Sequence, residues 1–314
     1  MKLEDGCILD QNAATGKGCY RPRPAIPNCH REVIDVQTPK RLRPAFFTIA
    51  LLCTAAAAVS PGTAGPAPAV DPALGALLAS PERSAPFVAR DAARHPVEEL
   101  SFFGLQPTMS VVELWPGTGY WTEILGPYLA ARGHYTVALP KPRADGEDGG
   151  LSRWNARVEQ QKARFGTILR TTLATGQYDI APPASADLVV TFRNLHNWMQ
   201  GGYAEAVLAA CFRALKPGGV LGIEDHRARN DRPQDPKAED GYVRQDYAIA
   251  LAKQAGFVWV EASEINANPK DTKDWPEGVW TLPPTLALKD KDRERYLAIG
   301  EADNFVLKFR KPAP

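Results

Sequence analysis

From residue 110 onward, short apolar runs alternate with longer amphipathic ones. The short runs are Ser110 to Leu114, Tyr135 to Leu139, Thr167 to Leu173, Ala186 to Thr191, Val220 to Glu224, Val258 to Ile265 and Asn304 to Lys308. Each is too short for a stable helix and rich in branched or aromatic residues, so each reads as a strand. Between them, Tyr120 to Ala131, Leu151 to Phe165, Tyr203 to Leu215 and Val243 to Ala255 carry the helical period. Ahead of the first strand, Ser80-Pro81-Glu82 puts a capping serine before a first-turn proline and acid. That predicts a helix running to Arg94, broken at His95-Pro96, with a second short helix over Pro96 to Leu100. Lys216-Pro217-Gly218-Gly219 is expected to end the helix before the fifth strand. Strands and helices in this alternation predict an α/β domain over residues 70–314, its mostly parallel sheet covered on both faces. Residues 266–302 are rich in proline and charge, and read as an insertion before the last strand, the kind of excursion that often serves as a binding loop or lid.

The chemistry concentrates where the first strand ends, at Glu113-Leu114-Trp115-Pro116-Gly117-Thr118-Gly119. Glycines let the backbone approach a ligand, and the following helix start offers free N–H groups. A dinucleotide fingerprint wants a third glycine at position 122, where Thr122 stands, so nicotinamide chemistry is disfavoured. No Gly-Xaa-Ser-Xaa-Gly elbow and no Gly-Lys-Ser/Thr loop occurs, which leaves hydrolase and kinase readings without a foothold.

An acid followed by spaced glycines resembles the loop of class I S-adenosylmethionine (SAM)-dependent methyltransferases. The likeness continues in Ala214-Leu215-Lys216-Pro217-Gly218-Gly219-Val220-Leu221 and covers most of residues 75–314. More narrowly, Arg94-His95-Pro96, Glu113 to Gly117, Phe192 to Trp198 and Asp225-His226-Arg227 resemble a group of bacterial predicted methyltransferases, many of them exported. The resemblance implies a Rossmann-like doubly wound sheet of seven strands, the last antiparallel. It also implies SAM as cofactor, with Glu113, Trp115, Pro116, Gly117, Thr118 and Gly119 around its methionine end and Asp179 as a candidate for the adenine amino group. Two positions depart from the family. Trp115 stands at the usual first glycine, and Ala138-Leu139-Pro140 ends the second strand without the acid that takes the ribose hydroxyls.

Ligands of open α/β sheets sit beyond the carboxyl ends of the strands. Two polar clusters fall there, Arg193-Asn194-Leu195-His196-Asn197-Trp198 and Asp225-His226-Arg227. Methyl transfer needs an aligned acceptor and, where that acceptor carries a proton, a base. Histidine suits the second task, so His196 or His226 is the expected base, with Asn194 helping in catalysis. Asn197 and Trp198 are expected to contact the acceptor, and Arg193 or Arg227 to hold an anionic group on it. Asp225, His226 and His196 show no metal-ligand spacing, and no metal is expected.

The formal charge of +1 gives no field that would recruit nucleic acid. The charge is uneven, however: residues 1–64 hold eight basic and five acidic residues. Residues 1–39 are Pro- and Arg-rich without period and read as a disordered or mis-assigned extension. Lys40-Arg41-Leu42-Arg43, the apolar run from Ala45 to Val59 and the small residues to Ala69 follow the order of a secretory signal. The run is short against the ~20 residues of a bilayer span. Residues 40–69 therefore predict export to the periplasm or beyond, with no stable membrane span after cleavage. Cys7, Cys19, Cys29 and Cys53 precede or lie within that leader, and only Cys211 remains in the body. The acceptor is expected to be a small molecule or an envelope component. The alternative is an exported, non-catalytic ligand-binding protein on the same scaffold. The sequence does not indicate an oligomeric state.

Overall fold

The computed structural model describes residues 71–142 and 149–313. The extension and leader expected over residues 1–69 lie outside the described residues. Seven strands form one sheet: β1 Ser110–Leu114, β2 His134–Leu139, β3 Ile168–Thr172, β4 Ala186–Phe192, β5 Leu215–His226, β6 Val258–Ser263 and β7 Asn304–Arg310. Their order is β3-β2-β1-β4-β5-β7-β6. β1 to β5 pair in parallel, and β7 lies antiparallel between β5 and β6. This is the Rossmann-like architecture expected, with the antiparallel last strand in place.

Eleven α-helices are described: α1 Pro72–Leu78, α2 Ala85–Val88, α3 Asp91–Arg94, α4 Pro96–Phe103, α5 Thr122–Leu129, α6 Gly149–Gln160, α7 Lys162–Phe165, α8 Leu195–Gln200, α9 Ala204–Ala214, α10 Gln245–Gln254 and α11 Arg293–Ile299. The strand alternation sorts the core onto two faces. Val112, Leu114 and Val189 pack with α8, α9 and α10, while Val111, Leu188 and Val190 pack with α1, α4 and α5. The insertion's Val279, Leu282, Tyr296 and Ala302 form a small core together with Tyr242, which precedes α10.

Three expectations are corrected. The helix predicted from Ser80 to Arg94 is instead a turn followed by α2 and α3. The Ser84 amide, which a continuous helix would give to the Ser80 carbonyl, goes to Glu123 Oε2 at 2.9 Å, and Arg83 folds back onto Asp91. Tertiary bonds thus outcompete a local cap. Second, Lys216-Pro217-Gly218-Gly219 does not separate helix from strand. It bulges out of β5, whose ladder jumps from Ala186↔Leu215 to Leu188↔Val220, with Gly218 at φ +78°. Third, a helix that was not predicted begins within the polar cluster after β4, α8 at Leu195.

Candidate functional site

β2 and β3 lie on one side of β1, and β4 and β5 on the other. The carboxyl ends of β1 and β4 therefore diverge, and a crevice opens between them, as expected at a topological switch point. A cavity of about 310 Å³ fills it. Its walls come from the loop after β1, the start of α8, the end of β5, helix α3 and the insertion.

The loop after β1 is shaped by left-handed residues. Gly117 and Gly119 have φ of +59° and +97°, and Trp115 adopts +51° despite its side chain. A Cβ at Gly117 would meet nothing within 4 Å, so the space above it is open. A Cβ at Gly119 would press on Trp154 and Arg157 at 3.2 Å. Among the described residues, the Gly117 and Thr118 amides bond to no backbone carbonyl. With respect to the described residues they leave donors free beside the cavity.

Glu113 is buried, with 1% exposure. Its Oε2 accepts hydrogen bonds from the Tyr135 hydroxyl and, at 3.3 Å, the Thr122 hydroxyl. Burial pushes the Glu113 carboxyl up to about 7, although those two bonds oppose the shift. Among the described residues Oε1 accepts nothing. Trp115 turns across the end of β2, and its indole N–H donates to the Leu173 carbonyl at 2.9 Å. Its edge meets Trp198, with ring centroids 5.9 Å apart, while the half-buried ring still borders the cavity. Where a ribose acid was missing from the sequence, an indole stands.

On the far wall the two histidines are brought together, their ring centroids 5.2 Å apart. His196 Nδ1 lies 2.8 Å from Asp225 Oδ1, and the His196 amide donates to Asp225 Oδ2 at 2.9 Å. A carboxylate only accepts, so Nδ1 carries the proton and Nε2 the lone pair. Burial would raise the Asp225 carboxyl, but His196 holds it below the usual range. His226 Nδ1 lies 2.7 Å from Asn304 Oδ1. The Asn304 amide is oriented by its own N–H bond to the Ala302 carbonyl, so His226 also carries its proton on Nδ1. Burial pushes His226 down to about 3, against the pull of Asp225, and the ring stays neutral. Donor atoms of His196, Asp225 and His226 lie within 4.8 Å of one another, a proximity the sequence spacing did not suggest. Both Asp225 oxygens are spent on His196 and on two backbone amides.

The remaining candidates divide. Asn197 and Arg193 border the cavity. Arg193 pairs with Glu224 at 3.2 Å and with Glu301. Asn194 borders it too, but its amide is committed to the Leu114 and Trp115 carbonyls, which ties β4 to the glycine loop. Trp198 is fully buried in the core beneath Trp115. Arg227 turns outward to Glu264 and the Asn304 carbonyl. Asp179 is exposed on the loop after β3. The structure brings none of these last three to the cavity.

Sequence reasoning passed over four contributors. Arg90 and Arg94 from the helices before β1, and Trp121 just after the glycine loop, line the cavity, as does Trp280 of the insertion. The Trp280 ring stands 6.2 Å from that of His196. The signal for Arg94 was present in Arg94-His95-Pro96, and the insertion was expected to serve binding. Nothing in the sequence singled out Trp280.

No protein-family model matches the chain, and no curated protein sequence does. Solved structures do resemble it. One is the cyclase SpnF, at 14% identity and a TM-score of 0.50, covering 77% of this chain and 92% of that one. A SAM-dependent methyltransferase from Aquifex aeolicus aligns at 15% identity and 0.47, covering 76% and 98%. An arsenic(III) SAM methyltransferase from Chlamydomonas reinhardtii aligns at 17% and 0.47, covering 78% and 75%. At 14% identity the likeness to SpnF bears on the fold alone, and it agrees with the Rossmann-like seven-stranded sheet described above.

Proposed function

We propose that the protein is a SAM-dependent methyltransferase acting on a small molecule or envelope component, with His196 as the base. The observation that carries the reading is the Asp225–His196 pair facing the cavity across from the glycine loop. Fold alone does not choose a reaction. The choice rests on what the walls offer.

The residues present suit the aminoacyl end of SAM. Free amides at Gly117 and Thr118, the open space over Gly117 and the uncommitted Glu113 Oε1 surround one corner. For the nucleoside end, the Trp115 ring offers a stacking face in place of the ribose acid. SAM supplies an electrophilic methyl group when bound.

The chain's own contribution is proton management. With Nδ1 tied to Asp225, the His196 Nε2 lone pair takes the proton of an acceptor hydroxyl or amine. Asp225 then stabilises the imidazolium, as an orienting carboxylate does in other acid–base pairs. His226 is held neutral and offers a second acceptor nitrogen. Asn197 and Trp280 narrow the space in which an acceptor sits. In this reading His196, rather than His226, is the base, because only His196 has a carboxylate partner on its ring.

Calorimetry with SAM, S-adenosylhomocysteine and NAD on the full chain tests the cofactor. Binding of the adenosyl ligands alone, lost in Gly117→Val, is the expected outcome, whereas no response to any nucleotide would return the scaffold to a binding protein. With an acceptor in hand, His196→Ala is expected to lower turnover by about 10²–10⁴ while leaving S-adenosylhomocysteine affinity unchanged. Normal turnover in that variant would sink the assignment. Export remains part of the proposal through residues 40–69, and amino-terminal sequencing of the native protein is its test: retention of Cys7 would refute it.

A further inference from the structure

Arg94 stands out among the charged groups of the cavity. It is 8% exposed, borders the cavity, and makes no hydrogen bond among the described residues. Its one ion-pair contact among them is Nε to Glu301 Oε2, at 3.5 Å. That carboxylate is already taken. Arg90 holds it with two bonds, at 2.6 and 2.9 Å, and Arg193 Nη1 bonds the same Oε2. Beneath Arg94 lies the Tyr120 ring, 4.6 Å from the guanidinium carbon, which offers a face and no acceptor. The indole N–H of Trp121, which also lines the cavity, is likewise buried without a partner.

A buried charge without a hydrogen-bonded counterion is costly, and folds rarely retain one without a use for it. Burial and the neighbouring Arg193 and Arg90 push the Arg94 guanidinium down to about 10, and it stays charged at neutral pH. Three guanidiniums, of Arg90, Arg94 and Arg193, thus share the carboxyl groups of Glu301 and Glu224. The adjacent Glu99 is pushed well up by burial and by Glu224, which favours its neutral form. The wall has an excess of positive charge and of N–H donors.

We infer that Arg94 is the seat of an anionic group, a carboxylate or phosphate, on the ligand that fills the cavity. A guanidinium fork matches either group with two parallel bonds. The inference rests on the cavity being the ligand site proposed above. Two sources share this chemistry: the carboxylate of the cofactor's aminoacyl end, and an anionic group on the acceptor.

Arg94→Met keeps the length of the stem and removes the charge. S-adenosylhomocysteine and 5′-methylthioadenosine, which lacks the aminoacyl group, are titrated into the wild type and this variant. In parallel, the melting temperature of each is followed with benzoate and with inorganic phosphate. A loss of at least tenfold for S-adenosylhomocysteine, with 5′-methylthioadenosine within twofold, places the cofactor carboxylate on Arg94. Unchanged nucleoside binding, with anion-dependent stabilisation of the wild type that Arg94→Met loses, places the acceptor's anion there. The second arm needs no adenosyl ligand, so it reads the seat even where the methyltransferase reading fails. Without ligand, Arg94→Met is expected to melt at or above the wild-type temperature, since it relieves an unpaired charge. A structural arginine would instead give a lower one. Arg94→Lys retains the charge without the fork and is expected to show a smaller loss of affinity, a check that holds if the methionine variant does not fold. Equal response of all three proteins to every ligand, the anions included, overturns the inference.

Discussion

The two halves of the sheet's carboxyl edge are built on opposite plans. On the β1–β2–β3 side, side-chain polar groups are spent largely on one another: Tyr135 and Thr122 on Glu113, Trp154 on Thr122, and Trp115 on the Leu173 carbonyl, which leaves open Glu113 Oε1 and the loop amides at Gly117 and Thr118 among the described residues. No residue of β2 or β3 borders the cavity. On the β4–β5 side, groups are left over: two imidazole lone pairs and an unpaired buried nitrogen on Arg193, joined from the segments flanking β1 by Arg94, without a hydrogen bond among the described residues, and by the unpaired Trp121 nitrogen. Leftover capacity in a folded protein is expensive, and its concentration on one side marks where a ligand is expected to do most of its bonding. The β2–β3 side contributes shape, the β4–β5 side contributes charge and proton transfer.

The largest expected effect comes from the one strained group on the satisfied side. Burial raises the Glu113 carboxyl from 4.5 to about 7. The folded state therefore holds that proton more tightly than the unfolded chain does. The associated stability is fully present below about pH 4.5 and is lost as pH rises through 7. The shift corresponds to about 3 kcal/mol. Glu113→Gln keeps an acceptor for Tyr135 and cannot ionise. Urea unfolding is expected to show the variant close to wild type at pH 4.5 and about 3 kcal/mol more stable at pH 8. Glu99, raised in the same direction, is present in both proteins and does not disturb the difference. Parallel stability curves for the two proteins would mean that Glu113 stays ionised in the fold, and that its side of the site is not satisfied as described.

Trp115→Gly sharpens the comparison from the other direction. Glycine accepts the φ of +51° without strain, so the backbone of the loop is kept while the ring and its bond to Leu173 are lost. Stacking of a base on an aromatic ring is worth about 1–3 kcal/mol. The variant is expected to bind S-adenosylhomocysteine about tenfold more weakly by calorimetry. Unchanged or improved affinity would show that the nucleoside never meets the ring and would move the ligand wholly to the β4–β5 side.

The alternation of apolar runs made the sheet readable because strand burial is a local pattern that tertiary context only confirms. Its breakdowns have physical causes. Ser84 gave its amide to Glu123, 39 residues away, so the predicted cap at Ser80 led into a turn. α1 was passed over although Asp71 caps it, accepting from the Ala73 amide at 2.9 Å, because it is two turns long with little period to detect. For the site, the glycine loop and both histidines were legible because their residue types announce chemistry. Which histidine has the carboxylate was not: Asp225 adjoins His226 in sequence but reaches His196 across the β4–β5 pairing. Arg94 was legible as a residue and not as an unbonded one, since satisfaction is a property of the packed interior. Trp198 and Arg227 looked like contacts by position, and packing sent one into the core and the other outward.

The smallest expected effect tests the edge of the β2–β3 side. Asp179 belongs to a loop whose backbone is closed on itself. Ala174 and Gln177 exchange two bonds, at 3.0 and 2.8 Å, and the Ile180 carbonyl accepts from Thr171 Oγ1 at 2.9 Å. Buried Ile180 anchors the loop and leaves Asp179 facing solvent. Asp179→Asn is expected to alter S-adenosylhomocysteine affinity by less than about twofold and stability by less than about 0.5 kcal/mol, as exposed substitutions generally do. Calorimetry and urea unfolding on one preparation check both. A tenfold loss of affinity with stability intact would mean that the loop closes over the adenine when ligand arrives. The satisfied side would then carry recognition as well as shape, and the contrast with the β4–β5 side would describe only the ligand-free protein.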